Sequence, residues 1–240
     1  MGATEPDTDT DGGGSDRGGP DAGADRPDPE AAGGEERAGR HADAAHPPSL
    51  PPGQLYRLAW GFYLLLAVGA VVWIGWREKV IPLELFVDPA LWWIDLAAGA
   101  GAGLLLVALW RLAVRGLPLA RKLEGRLGAL LGTLTRSEVI ALAVLSGVAE
   151  ELFFRGAVQG SWGFAWATVL FALMHTGPSP AFRLWTLFAL IAGALFGGLM
   201  LWRGNLLAPV TAHIVVNAVN LQRVARTEEE TANAVRRTQD

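Results

Sequence analysis

The chain has 240 residues, 51% of them hydrophobic and only 18% charged, with a formal net charge of -4. It contains no Cys, which excludes a disulfide scaffold, a thiolate nucleophile and a thiolate metal site. The charge is unevenly spread: residues 1–50 hold 12 Asp and Glu against 4 Arg, whereas from 51 onward 16 Lys and Arg stand against 12 Asp and Glu.

Residues 1–52 are rich in Gly, Asp, Ala and Pro and carry scarcely any large apolar side chain. Such a segment buries too little surface to offset its ordering entropy, so a disordered acidic tail is expected. It lacks the basic start, apolar run and cleavage site of a signal peptide. His41 and His46 fall in this tail, where no metal role is expected. Pro47, Pro48, Pro51 and Pro52 form a stiff boundary.

Beyond the boundary, apolar residues concentrate in runs long enough to cross a bilayer. The first span is expected over about Leu58 to Trp76, followed by Arg77 and Lys79. The second covers about Leu91 to Trp110, with Gly99 and Gly103 as a close-packing face of the small-xxx-small kind. Asp95 lies one turn inside it, which suits an interfacial position. Leu117 to Arg136 repeats leucines at helical spacing between Arg121, Lys122, Glu124 and Arg126, the pattern of an amphipathic helix on a membrane surface. Together, residues 53–134 form an N-terminal unit of two spans and one interfacial helix.

Thr135-Arg136-Ser137-Glu138 is a capping box that opens the third span, about Val139 to Gln159. The fourth covers about Phe164 to His175, the fifth about Leu184 to Trp202 with Gly193 and Gly197 as a second close-packing pair, and the sixth about Asn205 to Leu221. Residues 135–222 make a core unit, and 223–240 a polar C-terminal tail. The fold class is therefore all-α, a polytopic transmembrane helical bundle of about six spans. Six spans put both termini on one side. The basic cluster Arg111, Arg115, Arg121, Lys122, Arg126 and Arg136 marks that side as cytoplasmic. Trp73, Trp76, Trp92, Trp93, Trp110 and Trp202 fall near span ends, as in an aromatic belt. No phosphate loop, internal repeat or nucleic-acid motif is present, so membrane lipid is the expected environment and nucleic acid is not an expected partner.

The third span carries Glu150, Glu151 and Arg155. Each costs roughly 2.5–3.5 kcal/mol at the centre of a membrane helix before pairing is counted, so something must offset or require them. Glu151 and Arg155 share a face at i,i+4 with the acid on the N-terminal side, the better orientation for a pair. Glu150 lies about 100° round the helix, free to face other helices. A structural ion pair explains Glu151 and Arg155 but leaves Glu150 unexplained. His175 ends the fourth span. His213 and Asn217 lie four apart on one face of the sixth, with polar edges that hydrocarbon cannot satisfy. Taken alone, each has an ordinary structural explanation: an interfacial histidine, or a polar bridge between helices.

In order, Glu-Glu-x-x-x-Arg at 150–155, Phe-x-x-x-His at 171–175 and His-x-x-x-Asn at 213–217 resemble the three motifs of the CAAX prenyl endopeptidase type II family. This is the CAAX protease and bacteriocin-processing (Abi) family of intramembrane proteases. The resemblance covers about Thr135 to Leu221. It implies that Glu150 and His175 activate a water against a peptide carbonyl, that His213 and Asn217 stabilise the oxyanion, and that Glu151 and Arg155 support the helix. A desolvated carboxylate and oriented donors in a dry site suit this chemistry. A zinc ion on Glu150, His175 and His213 is a second route, and the sequence leaves the choice between zinc and no cofactor open. The implied substrate is a membrane-associated peptide or protein, of which a prenylated CAAX tail is the family's best-known case. Two other readings stay open at this point: a transporter or proton relay, and a catalytically silent scaffold or bacteriocin-immunity protein.

Overall fold

The computed structural model describes residues 54–131 and 134–237, and of 228–236 the helical backbone alone. The acidic tail expected over 1–52 lies outside the described residues. Every regular element among those described is helical: α1 Gln54–Glu78, α2 Trp92–Gly116, α3 Pro118–Leu131, α4 Arg136–Glu151, α5 Phe164–Met174, α6 Pro180–Arg203 and α7 Leu207–Arg237. α4 runs without a break into a π-wound segment, Leu152–Gln159, and a last turn, Gly160–Trp162. The protein is thus an all-helical membrane protein, as its composition requires.

Local chemistry explains the helix ends. Thr135 accepts from the Glu138 backbone N–H while the Glu138 side chain accepts from the Thr135 backbone N–H at 2.8 Å, closing the expected capping box at the start of α4. Gly163 (φ 87°) and Gly204 (φ 72°) take backbone conformations that L side chains rarely adopt, and they separate α5 from the last turn before it and terminate α6. Pro180 sits in the first turn of α6, where its missing N–H costs nothing.

α1, α2 and α6 are each long and apolar enough to cross a membrane. Their outer faces carry large exposed apolar side chains, Leu65 at 73% and Leu201 at 67%, that water would penalise and lipid would not. Three of the six expected crossings therefore meet the length and composition of a span. The others differ for physical reasons. The α4–π rod holds the charged residues. α5 has 11 residues and rises about 16 Å, short of a hydrocarbon core of ~30 Å. Helix α7 is apolar only in its first half. It continues past the expected end at Leu221 to Arg237, because its Ala-, Glu- and Arg-rich second half favours helix whether or not it is embedded.

The chain runs back and forth. Arg77, at the end of α1, reaches the far end of the α4–π rod. Asp95, near the start of α2, meets Arg203 at the end of α6 and Asn205 just before α7. At the other end of α2, Trp110 and Val114 pack on Ala181 at the start of α6. The same end therefore collects the start of α4, the end of α5 and the middle of α7.

α7 is the central rod, packed by α2 and α4. Glycines permit the approach. A Cβ on Gly103 would lie 2.7 Å from the Ala212 carbonyl oxygen and 2.8 Å from Val215 Cβ, and one on Gly147 would lie 2.8 Å from Ile214 Cγ1. Gly99 meets the Ala208 carbonyl in the same way. Gly103→Ala should push α2 off α7 at a cost of about 1–3 kcal/mol, read as a lower thermal midpoint in detergent. An unchanged midpoint would mean that the contact is loose.

Two expectations need correction. Asp95, at the Trp92 end of α2, does not face out of the bundle as an interfacial residue would but is fully buried: its carboxylate accepts from Arg203 Nε and from Asn205 Nδ2 (2.9 Å). Trp110 is no belt residue either. It is 6% exposed, and its indole N–H donates to Glu124 at 3.2 Å, because α3 folds back over the end of α2. Trp76, Trp92, Trp93 and Trp202 are exposed at the opposite end of the bundle.

Candidate active site

A cavity of about 350 Å³ opens among α1, α3, α4, α6 and α7 at the end of the bundle where α3 lies. Its walls are apolar, including Leu123, Leu127 and Leu130 of α3. Its polar lining includes Ser146, Glu150, His175, His213 and Asn217. Two helices of the bundle and the end of a third therefore bring Glu150, His175, His213 and Asn217 to one pocket.

The adjacent glutamates diverge, as the 100° step between them requires. Glu151 is fully buried, and one oxygen, Oε1, accepts from Arg155 Nη1 at 2.9 Å and from His213 Nδ1 at 2.7 Å. Arg155 is also fully buried. Its Nη2 donates to the Gly193 carbonyl at 3.0 Å, and its guanidinium lies 4.5 Å from the Phe171 ring centre and 5.3 Å from that of Phe196. Gln159 repeats the pattern four residues on, donating to the Gly197 carbonyl at 3.1 Å. The small-residue stripe of α6 thus serves two purposes: it lets the π segment approach and it leaves carbonyl oxygens within reach of polar side chains.

Glu150 turns the other way. It is 7% exposed, and its Oε2, buried and without a hydrogen-bond partner among the described residues, lies 3.9 Å from His175 Nε2. The Phe171 carbonyl accepts from His175 Nδ1 at 2.7 Å, and a carbonyl can only accept, so Nδ1 carries a proton and Nε2 is the nitrogen offered to Glu150. The Phe-x-x-x-His spacing is this i,i+4 bond. His175 also makes an edge contact with Trp185, centre to centre 5.8 Å. The gap to Glu150 is too long for a direct hydrogen bond and suits one bridging water.

His213 obeys the same logic from α7. Its Nδ1–H must donate to the Glu151 carboxylate, which leaves Nε2 as its second polar edge. Its ring stacks on Phe196 at 5.1 Å. One turn on, Asn217 Nδ2 donates to Ser146 Oγ at 2.9 Å, keeping a second N–H for another acceptor. Glu151 therefore holds His213 as well as Arg155, a link that the sequence did not disclose.

Among the described residues, no three His, Asp or Glu side chains come together as a metal-binding group. As placed, Glu150, His175 and His213 do not form such a group, although the bond from His213 Nδ1 to Glu151 leaves its Nε2 available.

Sequence reasoning missed three lining residues. Ser146 lies four residues before Glu150, and that spacing could have revealed it. Trp185 carried no signal above its apolar neighbours. Tyr63, from the middle of α1, reaches Glu150 closely enough for the two side chains to interact. It is one of only two tyrosines in the chain, and a phenol inside an apolar span needs a polar partner.

A buried set of acid, imidazole and amide groups inside an all-helical membrane protein is the kind of site that membrane-embedded enzymes use. Comparison with known proteins agrees: residues 132–219 match the family described as Type II CAAX prenyl endopeptidase Rce1-like, a family of proteases. The resemblance drawn from the three motifs is borne out over that segment. A protein of Bacillus subtilis (strain 168), described as Uncharacterized protein YpbD, is 37% identical over 86 residues, 34% of this chain and 42% of that protein. The chain thus spans less than half the length of that relative. No solved structure matches.

Proposed function

We propose that the protein is a membrane-embedded endopeptidase that hydrolyses peptide bonds of substrates held at the membrane, prenylated CAAX-type tails among them. The observation that carries this is the convergence of Glu150, His175, His213 and Asn217 on one apolar-walled cavity. A water between Glu150 Oε2 and His175 Nε2 donates one hydrogen to each, and its lone pair attacks the scissile carbonyl carbon. As the O–C bond forms, a proton passes to the Glu150–His175 pair. The carbonyl oxygen becomes an oxyanion and accepts from the free N–H of Asn217 and, when the ring carries both protons, from His213 Nε2–H. Collapse breaks the C–N bond, and the stored proton leaves with the amine. Glu151 takes no proton: it orients His213 and neutralises Arg155.

The cavity opens at the end of the bundle that carries the basic α2–α3 region, so the membrane orientation that fits is six passes with both termini and the active-site mouth cytoplasmic. The apolar walls suit a lipid-bearing or strongly apolar substrate segment.

The full chain in liposomes, presented with membrane-anchored peptides with and without a prenylated C-terminal cysteine motif, tests the proposal. Cleavage by wild type, its loss in His175→Ala with the helical signal intact, and its persistence in chelator are expected. Absence of cleavage of every anchored peptide would remove the protease function. Loss on chelation that zinc restores would reinstate the metal route.

A further inference from the structure

A second cavity, of about 250 Å³, lies beside the first and is lined by Phe62 and Leu66 of α1, Phe154, Met174 and Thr176. Phe62 and Met174 are 46% and 57% exposed, so this space opens between α1 and the end of α5 on the outer surface of the bundle. Four residues line both cavities: Tyr63, Glu150, His175 and Trp185. They form the partition between the two, and the Glu150–His175 pair is embedded in it.

We propose that Tyr63 is a positioning residue for Glu150, its hydroxyl donating to the carboxylate so that Glu150 stays in the partition with an oxygen turned to the water it shares with His175. Tyr63 comes from α1, outside the segment that matches the protease family. The inference rests on the protease function proposed above. Several observations support it. α1 packs along both α4 and the π segment, which aims the middle of α1 at Glu150. The Tyr63 ring is fixed by an edge contact with Phe62 at 5.2 Å. Tyr63 is half-buried and lines both cavities beside Glu150, with which it interacts electrostatically. Among the described residues, Glu150 has no ion pair closer than the 3.9 Å approach to His175, so without Tyr63 little would hold its rotamer. The alternative, a tyrosine that only fills space, requires the ring and not the hydroxyl.

Tyr63→Phe separates the two, because it keeps the ring. Three measurements on the full chain in liposomes decide. First, kcat on a membrane-anchored peptide should fall about 10–100-fold, the change expected on losing a charge-assisted hydrogen bond, with KM and the thermal midpoint held. Second, the acid limb of the kcat profile should move to higher pH, because a carboxylate that loses a donor is protonated more easily. The other charged or titratable groups facing Glu150 are His175 from α5, Arg155 from the π segment, His213 from α7 and neighbouring Glu151, all unchanged by the substitution. Third, the infrared carboxyl band of Glu150, assigned by difference from Glu150→Gln, should appear at higher pH in Tyr63→Phe than in wild type. This third measurement needs no turnover. If wild type cleaves nothing, the protease function fails while the band still decides whether Tyr63 holds Glu150. An unmoved band overturns the proposal, even if kcat falls, since the fall would then reflect packing or substrate entry.

Discussion

Glu150→Gln is expected to slow cleavage of a membrane-anchored peptide by about 10²–10⁴-fold, the usual contribution of a positioned base, while the protein remains as folded as wild type. Glutamine keeps the size and one acceptor oxygen of the carboxylate but cannot take a proton from water. The substitution strands no partner, because Gln keeps an acceptor oxygen for the Tyr63 hydroxyl, Glu150 Oε2 has no hydrogen-bond partner among the described residues, and the approach to His175 is 3.9 Å. Single-turnover rates beside thermal unfolding would separate chemistry from stability. A Gln variant that cleaves at the wild-type rate would place the base elsewhere.

Glu151→Ala should do the reverse of a clean catalytic lesion. Arg155 is fully buried, its Nη1 bonds to Glu151, and its Nε has no hydrogen-bond partner among the described residues. Removing the carboxylate leaves a fully buried guanidinium with the Gly193 carbonyl and two aromatic faces, a loss of about 3–5 kcal/mol for a broken buried pair. Folded yield and thermal midpoint should drop, and activity with them, since His213 loses the acceptor that orients it. The double variant Glu151→Met with Arg155→Met should recover much of the stability and none of the activity, because apolar replacement of a whole buried pair is often close to neutral. A single Ala variant with wild-type yield and midpoint would refute the ion-pair role.

The contrast between the two glutamates shows what a sequence can disclose here. Their divergence follows from helix geometry alone, and so does the Glu151–Arg155 pair, both readable at i,i+1 and i,i+4. The polar cluster was legible for the same reason: hydrocarbon makes a charged side chain costly, so each one stands out. What stayed hidden depends on contacts between distant segments. Nothing local tells that Asp95 pairs with Arg203 across 108 positions, so it looked like an interfacial residue. Nothing local tells that Glu151 reaches His213 across 62 positions, which engages its Nδ1 and leaves Nε2 as the nitrogen that can meet a substrate. Trp110 looked like a belt residue because span ends are where tryptophans gather, and only the fold-back of α3 buries it. Composition says least about crossing in short α5 and long, half-polar α7, which fall outside the length and apolarity of an ordinary span.

The π winding of Leu152–Gln159 has one more consequence. A wider turn loosens the usual carbonyl ladder, and here the Gly156 and Ala157 oxygens are taken by Arg77, with Nη1 distances of 3.1 and 3.0 Å. Arg77 belongs to α1, well upstream of the region shared with the protease family. That region, excised or grafted alone, would lose the guanidinium that bonds the Gly156 and Ala157 carbonyls and with it the brace on its own signature helix. The transferable unit of this architecture is therefore longer than its recognisable motif, and it starts no later than the first hydrophobic helix.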